Sequence, residues 1–145
     1  MLGLIQRVSS ASVAIDGKIQ GQIDQGLVLL LGIQKNDTED NADRLLHKVL
    51  NYRLFSDSAA KMNLSLKNIN GGLLVISQFT LAADTNKGLR PSFSSAAPPD
   101  QAESLYDYFL ARARTQHINL SCGIFAADMQ VSLCNDGPVT FNLSG

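Results

Sequence analysis

The residue types that could do chemistry in this 145-residue chain gather in two short segments. Ser77–Leu81 ends an apolar run with two hydroxyl groups and an amide. Asn135–Thr140 places a Gly-Pro pair between two strand-like stretches. Neither segment holds a nucleophile beside a base. Chemistry at these segments would therefore depend on hydroxyl groups, an amide and the backbone.

Other familiar kinds of site have little support in the sequence. A serine hydrolase needs a histidine near its nucleophile, and the chain has no Gly-x-Ser-x-Gly elbow. His47 and His117 are therefore interpreted as structural residues. No cluster has metal-ligand spacing and no glycine loop is suited to phosphate, so we expect neither a metal nor a cofactor. Cys122 and Cys134 indicate reduced thiols rather than a disulfide framework.

The overall composition narrows the class of protein. The length predicts one domain, residues 1–145. Twelve basic and thirteen acidic residues give a net charge of −1, which argues against binding to nucleic acid by bulk charge but allows a local basic patch. Polar residues follow too early for a signal peptide, and the longest apolar run, Leu27–Ile33, is too short for a membrane span. We expect a cytoplasmic protein.

The apolar periodicity predicts a strand-rich chain with two main helices. A hairpin is expected around Asp16-Gly17, because this pair suits a type I′ turn. One helix should begin near Thr38 and another near Asp100, each with a single apolar stripe. Strands are expected at about 4–8, 12–15, 18–23, 26–33, 52–55, 73–81, 119–125 and 128–134, and after Gly137-Pro138. The predicted fold class is α+β, with a curled, barrel-like sheet and the helices packed outside it.

Two features near the first segment bear on a binding site. In a strand over 73–81, Gln78 and Thr80 would continue the apolar face of Ile76, unless Thr80 turns to water at a frayed end. The irregular stretch 82–99 is long enough to be functional. Its Lys87 and Arg90 could contact a phosphate backbone. For the Gly-Pro turn, local statistics favour a trans bond.

The chain resembles the D-aminoacyl-tRNA deacylases of the bacterial and eukaryotic type. The likeness extends over the whole chain and does not depend on one motif. Besides the two segments above, it is carried by Ile5–Val8, Tyr52–Asp57, Ala82–Asp84, Arg90–Phe93, Phe125–Ala127 and Asp128-Met129.

The resemblance implies a homodimeric enzyme with a barrel-like fold. Such an enzyme hydrolyses the ester that joins a D-amino acid to the 3′ end of tRNA, and also releases glycine mischarged on alanine tRNA. The resemblance implies that a cis Gly137-Pro138 pair enters the other subunit's active site and leaves no room for an L side chain. Arg7 would help to orient this pair.

The resemblance also implies the remaining candidate site residues. These are the catalytic candidates Ser77, Gln78, Phe79 and Thr80, and the substrate-binding Met129. Thr80 would act as a nucleophile or as a positioning group beside the tRNA 2′-OH. We favour substrate-assisted hydrolysis, because a threonine hydroxyl is a poor nucleophile without an adjacent base. Backbone N–H groups near Phe79 and Thr80 could stabilise the oxyanion.

Three other hypotheses remain open from the sequence. The first is a related deacylase with relaxed chirality and a trans Gly-Pro bond. The second is a non-catalytic RNA-binding dimer with the same fold. The third is a serine esterase that uses Ser77 or Ser92, although no histidine is evident as its base.

Overall fold

The computed structural model describes residues 1–86, 88–117 and 119–145, and it is built mainly of β-strands. The elements in chain order are β1 Leu2–Ile15, β2 Lys18–Ile23, β3 Gly26–Gly32, α1 Glu39–Asn51, β4 Phe55–Ser56, β5 Met62–Leu64, α2 Leu66–Ile69, β6 Gly72–Ser77, a 3-10 helix Phe79–Ala82, α3 Pro99–Gln116, β7 Leu120–Cys122 and β8 Gln130–Ser144. No helix in these ranges has the length and apolarity to span a membrane.

The main sheet is mixed and nearly closes on itself. Its strand order is β2-β1-β3-β6-β7, and β8 also pairs with β1. β1 is antiparallel to its partners, whereas β3, β6 and β7 run parallel. The hydroxyl of Ser121 on β7 donates to the carbonyl of Gln22 on β2 at 2.9 Å, so the two ends of the strand order meet. The prediction of an α+β fold with a barrel-like sheet is confirmed.

The central strands are apolar on both faces because each face is buried. Leu27, Leu29 and Leu31 of β3 belong to the core that lies under the helices. Val28 of β3 and Leu74 of β6 belong to a second core inside the curled sheet. A strand buried on both sides reads as a continuous apolar run, which explains the sequence of β3.

The two predicted helices form where the apolar stripes place them. Helix α1 buries Ala42, Leu45, Leu46, Val49 and Leu50, which are the residues of its predicted stripe. Helix α3 buries Ala102, Leu105, Tyr106, Phe109, Leu110 and Ala113. Its first residue, Pro99, is well placed because the first N–H of a helix has no acceptor within that helix. The short α2 was not predicted, because four residues are too few to show a helical period.

Several predicted strand limits were wrong. β1 continues through Ser9 and Ser10 because β8 pairs along nearly its whole length. β8 likewise continues through the Gly-Pro pair, where the sequence predicted a turn between two strands. The turn at Asp16-Gly17 is confirmed, with φ angles of 49° and 74°.

Candidate active site

A cavity of about 500 Å³ opens beside the end of β6. Its wall is formed by that strand end, by the start of α3 and the residues just before α3, and by the segment that joins β7 to β8. The lining residues are Ile76, Ser77, Gln78, Phe79, Ala96, Ala97, Pro99, Ala102, Phe125, Ala126, Ala127, Met129 and Val131. Among the described residues, none of those that line this cavity has a titratable side chain. The cavity can therefore bind and orient a molecule, but its side chains supply no ionisable acid or base.

The strand before the first segment ends at Ser77, earlier than predicted. Leu81 N–H donates to the Gln78 carbonyl at 3.2 Å and Ala83 N–H donates to the Thr80 carbonyl at 3.1 Å, and these bonds turn the chain into the 3-10 helix. Thr80 is exposed, so the interpretation in which it turns to water at a frayed strand end is confirmed. The other interpretation, in which Thr80 continues the apolar face of β6, was wrong.

Thr80 is held by its neighbour Gln78. The side-chain Nε2 of Gln78 donates to the Thr80 hydroxyl oxygen at 2.6 Å. An amide group has no basic nitrogen, so Gln78 does not take a proton from Thr80. The hydroxyl oxygen already accepts a hydrogen bond, which lowers its nucleophilicity. This geometry suits a group that positions a ligand better than one that attacks it.

Both histidines are bonded elsewhere. The Nε2 of His117, just after α3, contacts the Gly71 carbonyl at 2.6 Å, and His47 contacts Asn51. The hydroxyl of Ser92 donates to Ser94 at 3.3 Å. A histidine-assisted serine nucleophile therefore has no support in the described part of the chain.

The Gly137-Pro138 pair lies on a bulge of β8. Gln6 of β1 pairs with Thr140, and Val8 pairs with Asn135, so four residues of β8 lie opposite the single residue between them. The Gly137-Pro138 peptide bond is cis, and Gly137 has a φ of 126°. Both residues are exposed. The bulge therefore presents backbone groups to the outside of the chain.

Arg7 is the residue opposite the bulge and holds it from within β1. Its Nε donates to the Asp136 carbonyl at 3.0 Å and lies 3.3 Å from the Asp136 carboxylate. Its Nη1 donates to the Leu54 carbonyl at 2.5 Å. The Arg7 side chain is largely buried. A largely buried cation bound to three acceptor groups of two residues is a rigid support for the Gly-Pro segment.

Asn135 closes the same bulge from the other side, and sequence reasoning missed it. Its carbonyl oxygen accepts from Val139 N–H at 2.9 Å, and its amide donates to the Thr140 hydroxyl at 2.9 Å. Side-chain to backbone bonds of this kind are typical of asparagine at turns. The position of Asn135 just before Gly-Pro was the signal that could have identified it.

The bulge and the cavity lie at different levels of the sheet in one chain. Ser77 of β6 pairs with Leu31 of β3, and Leu31 pairs with Gly3 of β1. Arg7, which lies opposite the bulge, is four residues further along β1. At about 3.3 Å per residue, the two levels are about 13 Å apart along the strand. Gly137 and Pro138 do not line the cavity of their own chain.

A buried tyrosine supports the back of the cavity. The hydroxyl of Tyr106 on α3 lies 3.2 Å from the Val75 carbonyl on β6 and 3.3 Å from the Gly123 carbonyl after β7. Burial raises the pKa of Tyr106 above its ordinary value, so the phenol remains a neutral donor. Through these contacts, α3 is joined to both segments that carry the cavity wall.

The remaining predicted residues are placed as follows. Met129 lines the cavity, and its sulfur lies so close to Gly123 that a side chain there would collide with it. Arg90 is exposed on the segment between the 3-10 helix and α3. Lys87 lies outside the described residues. Ala126, which was not predicted, lines the cavity with a φ of 59°.

Comparison with known proteins places the chain in a family. Residues 4–144 match the family model described as D-Tyr-tRNA(Tyr) deacylase. The chain belongs to this family. A D-aminoacyl-tRNA deacylase of Cellvibrio japonicus is 66% identical over 143 residues, which cover 99% of this chain and 98% of the relative. One of Escherichia coli O1:K1 / APEC is 59% identical over 141 residues, covering 97% of each.

Solved structures agree with the family's fold. A protein titled c-Myc DNA Unwinding Element Binding Protein has a TM-score of 0.96 and 38% identity, over 100% of this chain and 99% of that one. A probable eukaryotic D-amino acid tRNA deacylase has a TM-score of 0.85 over 99% and 98% of the two chains, and its 15% identity shows the fold alone. The chain is thus a hydrolase of the D-aminoacyl-tRNA deacylase family, as predicted from its resemblance.

Proposed function

We propose that this deacylase removes D-amino acids, and glycine mischarged on alanine tRNA, and that it rejects L-aminoacyl-tRNA by the shape of its backbone. The observation that carries the proposal is a cavity without a titratable side chain, in a chain whose exposed Gly-Pro bulge does not line that cavity. Selection by backbone depends on handedness and not on the side chain of the amino acid. One site could then serve many amino acids.

The proposed enzyme is a homodimer with two reciprocal sites. Gly137 and Pro138 are exposed and lie about 13 Å along the sheet from the level of Ser77, so they are available to a second copy of the chain. A two-fold dimer would place the bulge of each subunit at the cavity of the other. There the carbonyl groups of the pair would accept the substrate's amino group.

Catalysis is proposed to come from backbone groups and from the substrate. The first N–H groups of a helix have no acceptor within it, so those of Phe79 and Thr80 are available at the rim of the cavity. They can stabilise the negative charge that develops on the ester carbonyl oxygen. The terminal 2′-OH of tRNA would assist the attacking water. Thr80, held by Gln78, would position the substrate.

A direct test of the proposed selectivity compares the release of the amino acid from D-tyrosyl-tRNA, from L-tyrosyl-tRNA and from alanine tRNA mischarged with glycine. We expect rapid release from the first and third and little from the second. Release from the D and L forms at equal rates would support the relaxed deacylase instead. Stable binding of the aminoacyl-tRNA without release of the amino acid would support the hypothesis of a non-catalytic RNA-binding protein.

The catalytic step is tested with a variant and a modified substrate. We expect Thr80→Ala to retain most of its kcat, and a D-aminoacyl-tRNA without the terminal 2′-OH to be hydrolysed far more slowly by the unaltered enzyme. Near-total loss with the variant and full activity on the modified substrate would identify Thr80 as the nucleophile.

A further inference from the structure

Two aromatic rings stand exposed at the rim of the cavity. The ring centroids of Phe79 and Phe93 are 5.0 Å apart and the ring planes are inclined by 52°. Phe79 is 59% exposed and Phe93 is 39% exposed. Phe79 also lines the cavity, so the pair continues the cavity wall outwards. The proposed role of Phe79 uses its backbone and leaves both rings without a function.

Phe93 is held in a braced segment. The neighbouring Ser92 exchanges two backbone hydrogen bonds with Asp84, at 2.7 and 3.0 Å. The Phe93 carbonyl accepts from Ala96 N–H at 3.0 Å, and the Ser95 carbonyl accepts from the backbone of Lys35 at 3.1 Å. Ala96 itself lines the cavity. The ring is therefore presented from the same segment that forms one wall of the cavity.

The position of the rings suits one part of the substrate. With the aminoacylated terminal adenosine in the cavity, the preceding nucleotide is only one phosphate away and can reach the rim. Exposed aromatic faces bind single-stranded bases by stacking, with little dependence on the base. Arg90, three residues before Phe93, is an exposed cation on the same segment and suits the phosphate backbone.

We propose that Phe93, supported by Phe79, is a stacking platform for the penultimate nucleotide of the tRNA acceptor end. The inference rests on the proposed function, in which the cavity takes the terminal aminoacyl-adenosine. It adds a second nucleotide site to the enzyme, and it assigns recognition of the single-stranded end to the segment before α3.

The test uses two stable analogues in which an amide replaces the ester. One is D-tyrosyl-3′-amino-3′-deoxyadenosine, and the other carries a cytidine on the 5′ side of the adenosine. Dissociation constants are measured by calorimetry for the unaltered enzyme, Phe93→Ala and Phe93→Tyr. Tyr52→Ala is the matched control, because Tyr52 is also 39% exposed and also pairs with another ring.

We expect the cytidine to tighten binding to the unaltered enzyme by about tenfold, in the range for stacking of one base on an aromatic ring. Phe93→Ala should bind the two analogues about equally. Phe93→Tyr and Tyr52→Ala should keep the difference between them.

Three results would overturn the platform. They are no gain from the cytidine in the unaltered enzyme, an equal loss for both analogues in Phe93→Ala, and dissociation of the oligomer in that variant. Hydrolysis of D-tyrosyl-tRNA is measured in parallel. If the unaltered enzyme cleaves that substrate but gains nothing from the cytidine, the platform is wrong while the proposed function stands.

Discussion

At the scale of single residues, the site depends on bonds that position backbone groups. Arg7 joins the Asp136 and Leu54 carbonyls, and Gln78 holds the hydroxyl of Thr80. Gln78 lines the cavity of its own chain, whereas Arg7 does not. Substitutions that displace the backbone should therefore affect activity more than those that remove one hydroxyl group.

Gly137→Ala should impair the enzyme strongly. A Cβ at this position would lie 2.8 Å from Nη2 of Arg7 and 2.9 Å from Cγ2 of Val139, and a φ of 126° is strained for any L side chain. Backbone strain of this kind costs about 1–3 kcal/mol, and part of it should be relieved by displacement of the bulge. We expect kcat/KM for D-tyrosyl-tRNA to fall by about tenfold or more, since each 1.4 kcal/mol is tenfold.

The matched control is Gly17→Ala in the turn between β1 and β2. Gly17 also has a positive φ, 74°, but no atom lies within 4 Å of an added Cβ. It should lose stability in urea unfolding and keep its kcat/KM. Equal loss of activity in the two variants would indicate that backbone strain anywhere in the chain is sufficient, and would contradict a special role for the bulge.

At the scale of elements, helix α3 supports the cavity by direct bonds to the sheet. Tyr106 contacts the carbonyl of Val75 on β6 and that of Gly123 after β7. Asp43 on α1 accepts from the hydroxyl of Tyr108 at 3.1 Å and from Nε of Arg112 at 2.9 Å, which joins the two helices. The apolar stripes place the helices on the sheet, and these polar contacts fix their orientation.

Tyr106→Phe should lower the free energy of unfolding by about 1 kcal/mol, the usual net value of one hydrogen bond whose partner remains buried. Urea denaturation measures this change. Tyr52→Phe is the control and should change nothing measurable, because Tyr52 is exposed. A stability of Tyr106→Phe equal to that of the unaltered protein would show that the two carbonyl groups gain nothing from the phenol.

Asp43 should make the contact between α1 and α3 dependent on pH. The hydrogen bond from Arg112 is the main cause that lowers the pKa of Asp43 below its ordinary value of 3.8. A lowered folded-state pKa means that the ionised carboxylate stabilises the folded chain above pH 3.8, and that this contribution is lost as the pH falls through the folded-state pKa.

Urea denaturation of Asp43→Asn should therefore show lower stability than the unaltered protein at pH 7, with the difference shrinking towards pH 3. Glu103→Gln, an exposed substitution on α3, is the control and should follow the unaltered protein at both values. A difference that stays constant with pH would show that Asp43 acts through packing and not through its charge.

At the scale of the whole molecule, a complete site is proposed to need two chains. Each chain would contribute a cavity to one site and a Gly-Pro bulge to the other. Ala127, which lines the cavity, offers a substitution that blocks the cavity alone. Gly137→Ala damages the bulge alone. The two variants can therefore be combined in one dimer.

Mixing Ala127→Trp with Gly137→Ala and allowing subunits to exchange should restore activity. With equal amounts of the two variants, about half of the dimers would contain one chain of each, and each mixed dimer would have one intact site of its two. We therefore expect about a quarter of the unaltered activity. Each variant by itself should have no more than about a tenth of the unaltered activity. If the mixture is as inactive as its parts, cavity and bulge act within one chain, and the reciprocal arrangement is wrong.

Much of the fold follows from the sequence by itself. The stripes of α1 and α3, the Asp16-Gly17 turn and the buried run of β3 are local patterns, and each forms where it was predicted. Local patterns are predictable because helix and strand periods depend on neighbouring residues. The resemblance, which extends over the whole chain, also identified the family, and the comparisons confirm it.

The tertiary structure decided the features that depend on distant partners. β1 and β8 are long because each pairs with the other, and β8 bulges at Gly137-Pro138 because Arg7 and Asn135 hold it there. The strand before Thr80 ends early because the 3-10 helix replaces its ladder bonds. Phe79 and Phe93 meet only through the folded segment between β6 and α3. Hydrogen bonds between distant residues leave no period in a sequence, so these features appear only when the chain is folded.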